Sequence, residues 1–127
     1  MDSAYVERAE DVLKMDLSGV QVVGLDEGQF MGDKLMETCQ KLANRNIRVV
    51  VAGLDLDYRE AVFENMATLM GYAEYVDKLS AICVDCGEPA TRSFRLVCSE
   101  ERFLEGDKDE YIPVCRHHYL ERSNSTS

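Results

Sequence analysis

Two pairs of potential metal ligands stand at the same spacing in the second half of the sequence. Cys83 and Cys86 enclose two residues, and so do Cys115 and His118, with His117 next to the latter. Thiolates and imidazoles at this spacing are typical of tetrahedral structural zinc sites, because each pair can occupy one edge of the tetrahedron. The alternative is two buried thiol pairs beside incidental histidines. We predict a structural Zn²⁺ bound by Cys83, Cys86, Cys115 and His118, with His117 as the alternative fourth ligand.

The other two cysteines show no such pattern. Cys98 lies between the two ligand pairs without a partner, and Cys39 falls on the apolar face of a predicted helix. Both are predicted to be buried thiols. The chain has five cysteines, an odd number, and its acidic N-terminus does not resemble a secretory signal. This combination predicts a reducing, cytoplasmic location.

Two adjacent carboxylates follow an apolar run at residues 20–25. An apolar strand that ends in an acid such as Asp26 is typical of the Walker B motif, whose carboxylate holds Mg²⁺ in nucleotide enzymes. The neighbouring Glu27 could accept a proton from a nucleophilic hydroxyl. A turn or helix-cap role for Asp26 is the alternative. No G-x-x-x-x-G-K-[ST] phosphate loop occurs in the 127 residues.

The elements around these acids predict a β-α-β unit. Residues 20–25 and 47–54 are short apolar runs of the kind that form buried strands. Residues 33–45 between them have the apolar spacing of a helix, with Asp33 as its N-cap. Strand, helix and strand with short connections imply a parallel sheet. Ligands of such sheets bind at the carboxyl ends of the strands, where the acidic residues fall.

Shorter elements are predicted for the rest of the chain. They are an amphipathic helix within residues 1–17, a helix at 60–72, a third strand at 75–82, and β-like runs at 92–98 and 111–114 around a charged loop. The polar residues 122–127 are predicted to form a disordered tail.

The charge of the chain excludes some classes of partner. The sequence has 24 acidic and 14 basic side chains, which gives a formal charge of −10. An acidic surface repels phosphate backbones, so we predict no nucleic-acid binding. No apolar run approaches the ~18 residues that a membrane helix needs, so we predict no membrane segment.

Four segments, taken in order, carry a family resemblance. They are Gly24-Leu-Asp-Glu-Gly-Gln-Phe30, Val49-Val-Val-Ala-Gly-Leu-Asp55, Lys78-Leu-Ser-Ala-Ile-Cys-Val-Asp-Cys86 and Tyr111-Ile-Pro-Val-Cys-Arg-His-His118. Together they resemble the C-terminal two-thirds of type II thymidine kinases, the tetrameric, zinc-containing family. The resemblance covers nearly the whole sequence, and the order of the four motifs makes it specific.

The resemblance implies an α/β fold with a parallel-sheet, P-loop-type (RecA-like) core that lacks its N-terminal strands. A small zinc-ribbon lobe with a lasso loop would follow this core. The partial core would occupy residues 1–82, the zinc lobe 83–120 and the tail 121–127. The family's Walker A segment is absent from the sequence. The chain therefore looks like a fragment, which we expect to be inactive alone.

The resemblance also implies an activity, the transfer of the ATP γ-phosphate to the 5′-hydroxyl of thymidine in deoxynucleoside salvage. Glu27 would be the general base, and Asp26 would serve Mg²⁺. The turn from Asp26 through Glu27 and Gly28 to Gln29 would lie beside the ATP phosphates.

A nucleoside pocket is implied as well. Its residues would be Phe30, Tyr58, Phe63, Ser93 and Tyr111, together with a lasso loop of Arg102, Phe103, Leu104, Glu105 and Gly106 that covers the base. Arg95 belongs to the same matched stretch as Ser93. The family implies a homo-tetramer that binds thymidine and ATP. The alternative is a catalytically inactive remnant that uses its zinc lobe for protein contacts or assembly.

Overall fold

The computed structural model describes residues 3–96 and 110–125, which divide into two compact units. The first unit comprises Met1–Asp55 and Val62–Tyr75, and the second comprises Leu56–Ala61 and Val76–Ser127. Each unit is therefore formed by two separate segments of the chain.

This division differs from the predicted boundary between residues 82 and 83. Residues 56–61 belong to the second unit because their side chains and backbone bind there. Glu60 forms an ion pair with Arg92 at 2.7 Å, and the Tyr58 carbonyl accepts a hydrogen bond from the Tyr119 hydroxyl. Contacts of this kind, distant in sequence, have no periodic pattern that would reveal them.

The first unit contains the predicted β-α-β arrangement. Strands β1 (Val22–Leu25) and β2 (Arg48–Val51) pair in parallel, and helix α1 (Leu35–Asn44) connects them. Both strands are shorter than the apolar runs that predicted them. β2 ends at Val51 because the chain beyond it hydrogen-bonds to the turn after β1, beginning with the Gly28 amide and the Ala52 carbonyl at 2.9 Å.

The core of the first unit lies on one face of this two-stranded sheet. Leu25 of β1 packs with the apolar side of α1, including Leu35, Leu42 and Cys39. Cys39 is 7% exposed, which confirms its prediction as a buried thiol. The opposite face of the sheet exposes apolar side chains, among them Val22.

The helices of the first unit begin later than predicted. α1 is preceded by Lys34 without a side-chain cap, so the prediction of Asp33 as N-cap is wrong. Helix α2 runs from Glu64 to Tyr72, because Glu60 has a left-handed φ of 63° and Phe63 is extended. The predicted N-terminal amphipathic helix is a short 3₁₀ helix at Ala9–Lys14, which buries Ala9 and Val12.

The second unit is a small antiparallel arrangement with one helix. Its elements are β3 (Ala81–Ile82), β4 (Pro89–Ala90), β5 (Arg92–Arg95), β6 (Tyr111–Val114) and α3 (Arg116–Ser125). β3 pairs with β4, and β5 pairs with β6, both antiparallel. The small core consists of Cys83, Ala90 and Val114, with Phe94 and Tyr119 among the side chains packed on it.

Two predictions for this region differ from the structure. A third strand at 75–82 is wrong except at Ala81–Ile82, since Tyr75 and Leu79 are 88% and 89% exposed and lie outside any strand. The predicted disordered tail is helical as far as Ser125. No side chain of the polar helix α3 is fully buried, although Tyr119 packs on the small core. An ion pair between Arg122 and Asp85 also ties the helix to the rest of the unit.

The structure thus shows a mixed α/β protein with a small parallel sheet. Residues 97–109, which hold Cys98 and the predicted lasso residues Arg102–Gly106, lie outside the described residues. None of the helices in the described part of the chain combines the length and the apolar character needed to span a bilayer.

Candidate functional site

The four predicted metal ligands converge in the second unit. Cys83 and Cys86 lie at the turn between β3 and β4, while Cys115 and His118 lie at the start of α3. All four donor atoms are within 4.8 Å of one another. They form a group that could hold a metal ion.

The distances within this group match a tetrahedral metal. Nδ1 of His118 lies 3.2 Å from Sγ of Cys115 and 3.8 Å from Sγ of Cys83. Sγ of Cys86 lies 3.9 Å from Sγ of Cys115. Zinc bonds of about 2.3 Å to sulfur and about 2.0 Å to nitrogen place tetrahedral ligands roughly 3.5–3.8 Å apart.

The chain around Cys83 and Cys115 favours thiolates, the form that binds metal, whereas the surroundings of Cys86 favour the thiol. Burial opposes ionisation of Cys83, but hydrogen bonds from nearby backbone amides, the strongest from Cys115, lower the pKa of its thiol to about 6. A hydrogen bond from the His118 amide lowers the pKa of Cys115, and the Cys115 side chain raises the pKa of His118. Despite an amide hydrogen bond from Glu88, burial and the adjacent thiols raise the pKa of Cys86.

The choice between the two histidines follows from their positions on α3. His118 turns Nδ1 toward the thiols, whereas His117 is exposed and places Nε2 3.2 Å from Glu121 one helical turn later. His117, His118 and Glu121 also lie close enough to form a second group of potential ligands on the helix surface. His118 is the histidine that completes the group with the three cysteines.

An ion pair outside the ligands connects the two halves of the metal group. Arg122 of α3 donates to both carboxylate oxygens of Asp85, at 2.8 Å each. The Arg122 side chain holds the pKa of Asp85 below its usual range. Because Asp85 lies between Cys83 and Cys86, this bidentate pair fixes the first ligand turn to the helix that carries His118.

The predicted acidic pair lies where the sequence placed it, directly after β1. Glu27 has a left-handed backbone, with φ of 54°, and its amide donates to Asp26 Oδ1 at 2.9 Å. Both residues are exposed. Carboxylate oxygens at the carboxyl end of a parallel strand are donors of the type that Mg²⁺ prefers.

Gln29 connects this acidic turn to the end of β2. Its Nε2 donates to Glu27 Oε2 at 2.8 Å, and its Oε1 accepts from the Leu54 amide at 3.0 Å. Gln29 is 7% exposed, so a buried amide, hydrogen-bonded through both its nitrogen and its oxygen, holds an exposed carboxylate in place. The sequence indicated the position of Gln29 but not this bridging role.

Two glycines and an asparagine shape the same turn. A Cβ on Gly28 would lie 2.7 Å from Val51 Cγ1, and one on Gly53 would lie 2.7 Å from Gln29 Oε1. Asn65 of α2 donates from Nδ2 to the carbonyls of Gly28 and Gly32, at 3.0 Å each. The sequence does not indicate this role of Asn65, because one amide in a helix carries no signal of a distant backbone partner.

The predicted nucleoside residues are distributed over both units. In the first unit, Phe30 and the buried Phe63 form an edge-to-face pair with ring centroids 6.3 Å apart. In the second unit, the guanidinium of Arg95 lies over the Tyr58 ring and donates to the Tyr111 hydroxyl at 2.7 Å. Ser93 lies on β5 opposite Pro113 of β6 and is half-buried.

The fold and the site define an α/β protein with an acidic turn after a parallel strand and a Cys₃His group. A sequence model of one family, described as thymidine kinase, matches residues 2–119. The chain belongs to the thymidine kinase family.

Individual relatives agree with this membership. A thymidine kinase of Bdellovibrio bacteriovorus is 43% identical over 119 residues, which cover 94% of this chain and 58% of the relative. One from Porphyromonas gingivalis is 42% identical over 122 residues, covering 96% of this chain and 59% of the relative. A third, from a Rhodothermus species, is 46% identical over 114 residues, covering 90% and 53%. The chain thus spans less than two-thirds of the length of these relatives, on their C-terminal part.

Proposed function

We propose that this chain supplies the general base, the magnesium carboxylate and the nucleoside pocket of a thymidine kinase. The reaction would transfer the γ-phosphate of ATP to the 5′-hydroxyl of thymidine and produce dTMP and ADP. The observation that carries the proposal is the acidic turn itself. In a member of this family, Asp26 and Glu27 follow a parallel strand, and Gln29 holds the Glu27 carboxylate.

Each residue of the turn has a separate task in this proposal. Glu27 accepts the proton of the 5′-hydroxyl as that oxygen attacks phosphorus. Asp26 would hold the Mg²⁺ that accompanies ATP, an ion that would supply positive charge beside the phosphates. Gly28 and Gln29 complete the turn beside the phosphates.

The nucleoside would be held by aromatic walls and by main-chain groups. We assign Phe30, Tyr58, Phe63, Ser93 and Tyr111 to this pocket, as the family resemblance implies. The residues of the proposed lasso, Arg102, Phe103, Leu104, Glu105 and Gly106, would close over the base. Flat, largely apolar walls with a few polar groups are typical of sites for such ligands.

The metal group is proposed to hold a structural Zn²⁺. Three thiols and one imidazole at tetrahedral distances fit zinc better than magnesium or calcium, which prefer oxygen ligands. The ion would cross-link the β3–β4 turn to α3, in addition to the ion pair between Asp85 and Arg122.

The wider setting of the enzyme is also a proposal. We propose that the chain forms the Walker B side of a RecA-like core, works in a cytoplasmic tetramer and serves deoxynucleoside salvage. The 127 residues contain no G-x-x-x-x-G-K-[ST] motif, so phosphate transfer would need a phosphate-binding loop from residues beyond them.

A fusion protein tests the proposal directly. The part of the B. bacteriovorus relative that the match leaves out is joined in front of residues 1–127. ATP-dependent formation of dTMP by this fusion, lost in a Glu27→Gln fusion, is the expected result. The 127-residue chain alone serves as the negative control, and we expect no turnover from it.

The same experiment judges the second candidate, an inactive remnant that uses its metal group for assembly. This candidate is favoured by one observation, that the complete Cys₃His group is assembled within these 127 residues. A soluble, zinc-loaded fusion that folds and yet forms no dTMP would support the remnant and contradict the kinase.

A further inference from the structure

We propose that Arg95 is a positioning residue, whose buried guanidinium fixes Tyr58 and Tyr111 relative to one another before nucleoside binds. The inference rests on the proposed function, because only that function assigns the two tyrosines to a nucleoside pocket. Arg95 itself has no ligand contact in this proposal.

The geometry places one side chain against two aromatic residues from different segments. Arg95 is the last residue of β5 and is directly opposite Tyr111 of β6. Its guanidinium carbon lies 3.6 Å from the centroid of the Tyr58 ring, and its Nη2 donates to the Tyr111 hydroxyl at 2.7 Å. The stacking distance is short even for a cation–π contact, which extends to about 6 Å.

Burying the Arg95 guanidinium costs free energy, and this cost indicates that the side chain has a role in the site. Arg95 is only 8% exposed in a unit whose core is small. Removing a guanidinium from water is unfavourable, and an aliphatic side chain would fill the same space at lower cost. A planar guanidinium can stack with its face and donate from its edge at the same time, which a lysine ammonium cannot do.

The backbone and the ring of Tyr58 are held by different partners. The Tyr119 hydroxyl donates to the Tyr58 carbonyl, and Asp57 accepts from the amides of Arg59 and Ala61 at 2.9 and 3.0 Å. These bonds fix the path of residues 56–61. The contact with Arg95 instead acts on the side chain, so it can set the orientation of the ring.

A ring that is already oriented binds a flat ligand more tightly, because less side-chain freedom is lost on binding. Loss of Arg95 would therefore weaken thymidine binding and leave the chemistry at Glu27 unchanged. In the fusion protein this would appear as a higher KM for thymidine at nearly constant kcat.

Arg92 offers a matched control. It lies on the same strand and is bonded to the same segment, through the 2.7 Å pair with Glu60. The described contacts of its guanidinium are with Glu60 and Thr91, so Arg92→Met removes one anchor of the segment, and the other anchors and the stack on Tyr58 remain. A difference between the effects of Arg95→Met and Arg92→Met on the Tyr58 ring therefore separates ring positioning from the anchoring of residues 56–61.

The experiment uses the zinc-loaded 127-residue chain with ¹³C-labelled tyrosine rings. Without ligand, Arg95→Met and Arg95→Lys should shift the ring resonances of Tyr58 and Tyr111 and leave Tyr119 in place, whereas Arg92→Met should leave the Tyr58 ring resonance unchanged. Thymidine titrated by calorimetry should bind about tenfold more weakly to both Arg95 variants, the size expected for a desolvated cation–π contact.

Unchanged Tyr58 and Tyr111 resonances in Arg95→Met would overturn the inference, as would undiminished thymidine affinity where the wild-type chain binds. If the wild-type chain binds no thymidine but the rings respond, the positioning role is supported, and what fails is the proposal that this chain alone forms the nucleoside pocket. Loss of the Tyr119 resonance in both Arg95 variants would mean that the second unit no longer folds. In that case Tyr58→Leu is tested in their place. It should shift the Arg95 guanidinium proton resonances, and unchanged resonances would contradict the proposal.

Discussion

Gln29 donates a hydrogen bond of 2.8 Å to the Glu27 carboxylate while accepting one of 3.0 Å from the chain that leaves β2. The two residues belong to one turn, yet the anchor of that turn is the Leu54 amide on the neighbouring strand connection. The position of the proposed base therefore depends on an uncharged, buried side chain.

Replacing Gln29 by Met should lower kcat of the fusion protein by about 10- to 100-fold. Met keeps the volume but loses both bonds, and a hydrogen bond to a charged group is worth about 1.5–3 kcal/mol. The KM for thymidine should change little, since the substitution disturbs the general base Glu27 and not the side chains of the nucleoside pocket. Gln40→Met, at an exposed position of α1, is the control and should leave kcat unchanged. An equal kcat in the two variants would contradict the bridging role.

Glu27→Gln should lower kcat by about 10²- to 10⁴-fold with thymidine binding retained, because the shape stays and the proton acceptor is lost. Asp26→Asn should instead raise the concentration of Mg²⁺ needed for half-maximal rate. Steady-state kinetics at varied Mg²⁺ separate the two. A Glu27→Gln enzyme within about twofold of wild type, with a shifted Mg²⁺ dependence, would make Glu27 a second metal carboxylate.

Zinc-replete expression should yield one zinc per chain. Cys83→Ala removes a ligand, and we expect it to release zinc and unfold the second unit, because a closed metal site stabilises the segments that it joins. Cys39→Ala removes a buried thiol of the first unit and should retain full zinc content. Metal analysis with circular dichroism measures both effects. Well under one equivalent in the wild-type chain would rule the site out.

The stability of the first unit should fall as pH rises through the titration of Cys39. Burial raises the pKa of this thiol from 9.0 to about 11. A raised folded-state pKa contributes stability that is complete below pH 9.0 and lost as pH approaches 11. Urea unfolding between these pH values should show the decline in the wild-type chain. Cys39→Ala should lack this component, and an identical pH slope in both proteins would refute the assignment.

Two glycine substitutions should have opposite effects. Gly53→Ala places a Cβ 2.7 Å from Gln29 Oε1 and 3.0 Å from the Gly28 amide, so we expect a loss of about 1–3 kcal/mol in unfolding free energy. Gly71→Ala meets no atom within 4 Å and lies in α2, where Ala favours the helix by about 0.5–1 kcal/mol. Chemical denaturation compares them. An equally stable Gly53→Ala protein would mean that the turn relaxes without cost.

The parts of the site that the sequence predicted depend on local patterns. Cys83 and Cys86 enclose two residues, and this ligand spacing can be recognised from the sequence alone. Asp26 follows an apolar run whose length and composition determine a strand and its end. Spacing and periodicity are properties of neighbouring residues, so both predictions required no knowledge of the tertiary contacts.

The parts that it missed depend on contacts between distant residues. Asn65 and Gly28 are separated by a strand and a helix. Tyr58 and Arg95 are separated by helix α2 and by strands β3 and β4. The exposed Tyr75 and Leu79 show the converse case. Their alternating pattern suits a strand, but within the described residues they lie outside any strand, since only Ala81–Ile82 pairs.

The path of the chain through the two units limits how the protein can be divided. Residues 56–61 contribute Glu60 to Arg92 and the Tyr58 carbonyl to Tyr119, but residues 62–75 return to the first unit. An excised piece that begins at Val76 would keep all four metal ligands and lose both of these anchors. The unit that carries the metal group therefore cannot be transferred to another protein as one continuous segment. Residues 56–61, which carry Tyr58, are part of this unit, so a transferred unit has to include them as well.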